Sequence, residues 1–263
     1  MKLQRRRVLL WVGVAAAAAG CVWLFGFQTA TALMFRHEYR NVPEASETPV
    51  PLRDVSISGN SHRQVSWFGY NFELPWDDVD EARSRTVRNI RVTAFHSGNT
   101  LSFYAFPARN FVDEIEKDQA LGAESFRRFY GTRALQSDYG FYKIMLGITP
   151  EKISPFGSRQ QVARDSMLLI TKVVTMPSAG TGIFSIQAND WRGFQFGEPS
   201  RSPAQVTDEL YGNEGGVNFI FFLKSTAAGG LSISQPEINR VLQSLHKVSD
   251  GRSASATNSA VSN

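Results

Sequence analysis

An α+β fold is predicted: a mainly antiparallel sheet with helices packed on it, preceded by one N-terminal transmembrane helix. Three observations carry this. Strand-like runs occupy roughly residues 64–105 and 183–223, helical periods fill the middle and the C-terminal end, and a charge-free stretch from Val8 to Phe35 precedes them all. Strands, then helices, then strands, then a closing helix do not read as repeated βαβ units, so the strands pair largely antiparallel.

The charge-free stretch is 28 residues long, more than the roughly 20 a helix needs to cross a bilayer's hydrocarbon. Residues 1–7 form a basic flank with Lys2, Arg5, Arg6 and Arg7. By the positive-inside rule they stay in the cytoplasm, Val8 to Phe35 engages a bacterial inner membrane as a signal anchor, and the remainder is extracytoplasmic. Two other readings of the leader remain open. Ala30-Thr31-Ala32 has the small-x-small pattern of a cleavage site, although the apolar run before it exceeds the roughly 7–15 residues of a signal peptide's core. Ala18-Ala19-Gly20 ahead of Cys21 is similar to a lipidation signal, although Val22-Trp23-Leu24-Phe25 continues the apolar run where a polar tether is usual.

The formal net charge of +4 belongs to this leader. Its four cations are taken from a total of 28, and the 24 that remain equal the 24 acids. A neutral body lacks the basic stripe of a nucleic-acid binder. Cys21 is the only cysteine, so the body carries no disulfide, thiolate ligand or cysteine nucleophile.

Residues 36–63 read as a flexible tether, with Pro43, Pro49 and Pro51 spaced among polar residues. A folded domain over 64–248 follows. Val65 to Leu74, rich in Trp67, Phe68, Tyr70 and Phe72, is a strand that Pro75 stops. Trp76 to Glu81 is a loop or short helical turn. Val87 to Phe95 alternates Ile90, Val92 and Ala94 against Asn89, Arg91 and Thr93, which is a half-buried strand. Ser97-Gly98-Asn99 turns the chain into a return strand through Leu101, Phe103 and Ala105.

The middle is helical. Phe111, Val112 and Ile115 begin one amphipathic stretch, and Phe126, Phe129 and Tyr130 continue it. Tyr139 to Ile148 forms another, closed by Thr149-Pro150. A helix over about Ser158 to Met176 puts Val162, Met167, Ile170, Val173 and Val174 on one face and Arg159, Gln160 and Lys172 away from it. Strands return at Ile183 to Ala188, Gly193 to Phe196, Gln205 to Tyr211 and Val217 to Leu223, the last apolar enough for a central strand. Ser234-Gln235-Pro236-Glu237 is a capping box that opens a helix with Ile238, Val241, Leu242, Leu245 and Val248 on one stripe. Residues 249–263 are too poor in apolar side chains to fold.

The end of the first strand, Tyr70-Asn71-Phe72-Glu73-Leu74-Pro75, and the closing helix from Ile238 to Leu245 give an order of elements that resembles the PsbP-like sandwich fold. The resemblance implies a non-enzymatic accessory or binding domain and assigns no site residues.

No catalytic, cofactor or metal signature emerges. His62, His96 and His246 stand apart from one another and from any HExxH spacing. Asp77, Asp78, Asp80 and Glu81 lack the pattern of a calcium loop and read as a solvated helix start. The one candidate for partner binding is Trp191 with Arg192 at a hairpin tip, because Trp and Arg dominate interface hot spots. The competing reading is that Trp191 folds back onto the sheet. These features predict an accessory module that binds a cell-envelope protein. The alternatives are a carrier of a small ligand or lipid, with a pocket between the Phe-rich sheet and the 158–176 helix, and a hydrolase using Asp77, Asp78 or His96.

Overall fold

The computed structural model describes residues 26–57, 63–118, 123–132, 134–176, 182–200, 205–212, 217–225 and 233–248. The basic flank, the predicted span as far as residue 25 including Cys21, and the tail over 249–263 lie outside them. The chain divides into two compact units, one of Met1–Val50 with Ala108–Ile183 and one of Pro51–Pro107 with Phe184–Asn263. The sequence reading has one domain over 64–248, a range that takes in parts of both units.

The strands are β1 (Val50–Pro51), β2 (Gln64–Trp67), β3 (Tyr70–Glu73), β4 (Val79–Val87), β5 (Ile90–Phe95), β6 (Thr100–Pro107), β7 (Ile183–Ala188), β8 (Trp191–Phe196), β9 (Gln205–Gly212), β10 (Val217–Lys224) and β11 (His246–Lys247). Eight of them form a large mixed sheet in the order β1-β7-β8-β9-β10-β6-β5-β4, and the other three form a small sheet, β11-β3-β2. In the large sheet β4–β5, β5–β6, β6–β10, β10–β9 and β9–β8 pair antiparallel. The registers Arg91↔Phe103, Phe103↔Phe221, Phe221↔Asp208 and Asp208↔Gln195 align one row of side chains across five strands.

The core of this unit lies on that row's face. Phe103, Phe219 and Phe221 are fully buried, and the Phe103 and Phe219 rings stack with centroids 5.4 Å apart. Phe72 of the small sheet meets Phe221 edge-on at 5.2 Å. The closing helix α7 (Gln235–Ser244) adds Ile238, Val241 and Leu242 to the same cluster. Each such side chain contributes roughly 1.5–3 kcal/mol relative to exposure. The α7 capping box forms as the sequence pattern requires: the Glu237 carboxylate accepts from the Ser234 amide at 2.6 Å and from its hydroxyl at 2.8 Å.

Two local readings change. The aromatic run at 65–74 is a hairpin, broken at Phe68-Gly69 so that Trp67 faces Tyr70 across the ladder. Residues 79–81 belong to a strand, and the acids at 77–80 hold the adjoining hairpin in place. Asp77 accepts from the Arg63 amide at 3.0 Å, Asp78 accepts from the Ser97 amide at 2.7 Å, and Asp80 pairs with Arg83.

The other unit is helical: α1 (residues 26–39), α2 (Pro43–Ser46), α3 (Asn110–Asp118), α4 (Ala123–Tyr130), α5 (Asp138–Gly147) and α6 (Arg159–Thr175). Asp138 is buried at the start of α5. It accepts from the Phe111 and Val112 amides at 3.2 and 3.0 Å, meeting the free donors and positive dipole end of α3. In α6, Ser158 caps the first turn through the Gln161 amide.

The buried face of α6 differs from the one expected. Met167 and Val174 are exposed, whereas Lys172 is fully buried with Val162 and Leu169. The Lys172 ammonium donates to the carbonyls of Ala45, Ile148 and Glu47, the first two at 3.2 and 2.8 Å. Those carbonyls lie at the C-terminal ends of α2 and α5, where a helix leaves its last carbonyls without a partner, and a lysine with three donors is matched to three of them. Accordingly Pro43–Ser46, read as tether, forms a helical turn with Ala45 buried.

The transmembrane helix in the predicted fold class is corrected. No helix among the described residues is long and apolar enough to cross a membrane. Helix α1 runs through Arg36, His37 and Glu38 past the end of the predicted span, and it buries Gln28 and Ala32 on one side. Its described part thus has one protein-facing side.

Burial lowers the Lys172 pKa from its ordinary 10.5 to about 8. The folded chain then loses this proton before the unfolded chain does, so raising the pH from about 8 toward 10.5 stabilises the fold through this group. In urea titrations Lys172→Met is expected to lose about 2 kcal/mol or more at neutral pH, from carbonyls left without a donor. It should also lack the wild type's relative gain in midpoint between neutral and alkaline pH.

Candidate functional site

The β2–β3 hairpin closes with two residues, Phe68 at φ 52° and Gly69 at φ 80°. Positive φ at both positions is the type I′ turn, whose twist suits a hairpin and whose usual residues are Asn and Gly. Glycine meets this at no cost, but a bulky side chain in the left-handed region costs roughly 1–2 kcal/mol. Phe68 nevertheless occupies the position and remains 37% exposed.

Around it lies a ledge of half-buried aromatics. The Phe68 ring stacks on Phe103 with centroids 6.0 Å apart. Trp67 packs edge-on against Phe72 at 5.1 Å, and the Arg91 guanidinium stands 5.5 Å from the Trp67 ring centroid. Arg91 is held there by Glu81 at 3.2 Å and by the Thr86 hydroxyl at 3.1 Å. Tyr70 contacts Phe219 at 4.6 Å and Trp191 at 6.1 Å. Desolvation raises the Tyr70 hydroxyl pKa, so it stays a neutral donor.

Trp191 and Arg192 are not brought together. Trp191 is half-buried, edge-on to Phe219 at 4.9 Å, so it does fold back onto the sheet and forms one wall of the ledge. Arg192 is exposed and, one residue along the strand, projects from the opposite face. The surface missed by sequence reasoning is Trp67, Phe68, Tyr70 and Arg91. Its signal was legible in retrospect: an X-Gly pair between two aromatic residues, with Phe where Asn is usual.

Asp208 is a second feature the sequence hid. It lies on β9 between Val206 and Leu210, all three buried. Neither carboxylate oxygen has a hydrogen-bond partner, and burial pushes its pKa well above the ordinary range. Across the ladder Gln195 exchanges two 2.8 Å bonds with Gln235, which donates to Asn239 at 3.1 Å. Asn239 in turn donates to the carbonyls of Asp54 and Ser56 at 2.9 and 2.8 Å. With no exposed surface, Asp208 is placed as part of the core, out of reach of a substrate.

His96 Nδ1 is 3.7 Å from Asp80 Oδ2, which also pairs with Arg83, and His246 Nδ1 contacts the Ser244 carbonyl at the end of α7 at 2.7 Å. His62 lies outside the described residues. Among the described residues no group of three or more His, Cys, Asp and Glu is placed to hold a metal ion. No protein-family model, curated protein or solved structure matches the chain.

Replacing Phe68 tests what the residue is kept for. Phe68→Asn relieves the backbone and loses a peripheral stack of about 0.5–1.5 kcal/mol, so its unfolding free energy should stay within about 1 kcal/mol of wild type. Phe103→Ala, beneath it, should lose about 3–5 kcal/mol in the same denaturation assay. Asp208 has the opposite pH sign to Lys172. Its raised folded pKa means the folded chain holds a proton the unfolded chain releases, so this group's stabilisation is lost as pH rises from about 4 upward. Asp208→Asn should flatten the decline in stability between mildly acidic and neutral pH, read from thermal unfolding.

Proposed function

We propose that the chain is a non-catalytic accessory module of the cell envelope that holds a protein partner on the Trp67–Phe68–Tyr70–Arg91 ledge, with Trp191 as one wall. The observation that carries this reading is Phe68. It is a bulky side chain kept partly exposed in a backbone conformation that disfavours it, and strained positions of this kind cluster where a surface is used. The composition around it supports the same reading, since half-exposed Trp and Tyr with a stacked Arg are the side chains that dominate protein interfaces. Arg91 is already fixed by Glu81 and Thr86, so binding would cost little of its side-chain freedom. The envelope assignment is supported by the uncharged stretch at the N-terminus and by a body free of cysteine.

A photoreactive phenylalanine placed at position 68 of the full chain, irradiated in the native envelope, is expected to give a discrete protein adduct identifiable by mass spectrometry. The same group at Arg85, exposed on the other face of β4, should not give it. No adduct from position 68, or the same adducts from both positions, would overturn the assignment.

A further inference from the structure

The outward side of α1 is apolar over its first turns. Phe27, Leu33 and Met34 are 72%, 51% and 54% exposed, and Ala30 between them is exposed as well. Gln28 and Ala32 lie on the opposite side and are buried. The patch extends to a neighbouring turn: the Thr29 hydroxyl donates to the Pro155 carbonyl at 2.8 Å, and the next residue, Phe156, is 89% exposed. The Arg159 guanidinium stands 5.6 Å from the Phe27 ring centroid. From Arg36 onward the character changes, and His37, Glu38 and Arg40 occupy the exposed side.

Two phenylalanines, a leucine and a methionine presented together are more than the scattered apolar residues of an ordinary surface. The chain itself indicates the occupant. No residue from Val8 to Phe25 carries a charge, and Arg5, Arg6 and Arg7 precede them. The polypeptide therefore enters the patch from an uncharged segment and leaves it through Arg36, His37, Glu38 and Arg40, two arginines against one acid. Apolar side chains bordered by Arg36, Arg40 and Arg159 match the boundary between acyl chains and anionic headgroups. We propose that the outward face of α1 and the Phe156 turn rest on the surface of an anionic lipid bilayer, immersing Phe27, Leu33, Met34 and Phe156. The contact calls for no bilayer-spanning helix, and it is independent of the aromatic ledge.

The test uses the full chain carrying Cys21→Ser, with a nitroxide on Phe156→Cys, and vesicles of phosphatidylethanolamine and phosphatidylglycerol. The chain should float with the vesicles. Its label should gain collisions with oxygen and lose collisions with a water-soluble nickel complex several-fold relative to the vesicle-free sample. Phe156→Ser, a change at an exposed position, should weaken vesicle binding several-fold while leaving thermal unfolding unchanged. Flotation with a water-accessible label would show that residues preceding α1 bind alone, and would overturn the proposal. A label equally shielded without vesicles would do the same by assigning the patch to protein, as would absence of flotation.

Discussion

The aromatic row on β6 and β10 constrains the whole of the β-rich unit. Phe103, Phe219 and Phe221 present a flat, apolar face in the middle of the large sheet, and nothing on that sheet can cover it. The cover comes from both ends of the unit's chain. The β2–β3 hairpin supplies Trp67 and Phe72 from one side, and α7 supplies Ile238, Val241 and Leu242 from the other. These two then need each other: β11, just after α7, pairs with β3 through His246↔Asn71, and the Ser244 hydroxyl accepts from the Glu73 amide at 2.8 Å. A register slip of one residue on β10 would turn Phe219 and Phe221 away from this cover, so the ladder and the cover specify one another.

The helical unit is governed by a different constraint, the need to satisfy backbone groups where short segments meet. Asp138 answers it with a carboxylate at free amides, and Lys172 with an ammonium at free carbonyls. Both charges are buried, and both have hydrogen-bond partners of the right kind, which is what makes a buried charge tolerable. Asp208 is the contrasting case. It lacks partners, so burial acts on it without compensation and pushes its pKa well above the ordinary range.

Much of the strand and helix order was legible from period and punctuation. The turn at Ser97-Gly98-Asn99, the apolar β10 run and the capping box at Ser234 each declare a local structure without tertiary help. The failures have particular causes. The hairpin at Phe68-Gly69 was hidden because the residue that marks such a turn is Asn, and here it is replaced by an aromatic that extends the strand pattern. Lys172 was assigned to solvent because its charge outweighed its position, although it falls one turn after Leu168 and Leu169 on the packing side. The extent of α1 was obscured because a charge-free run looks the same whether lipid or protein takes its faces. At the candidate site Trp191 was recognisable as an aromatic beside a turn, but its pairing with Arg192 ignored strand alternation, which sends neighbours to opposite faces.

Phe68 shows how local cost and surface chemistry combine at this ledge. The left-handed backbone costs about as much as the peripheral stack on Phe103 returns, so the two nearly cancel. Asparagine would fill the turn without strain, and a residue facing inward at this point would bury more surface. Stability therefore gives little reason for this side chain at this position. What the phenylalanine does add is an exposed ring edge, continuous with Trp67 and Tyr70 and backed by a rigid core residue. A surface group that is neutral for folding and held by a rigid support is already arranged for contact, and a partner binding it would not have to order it first.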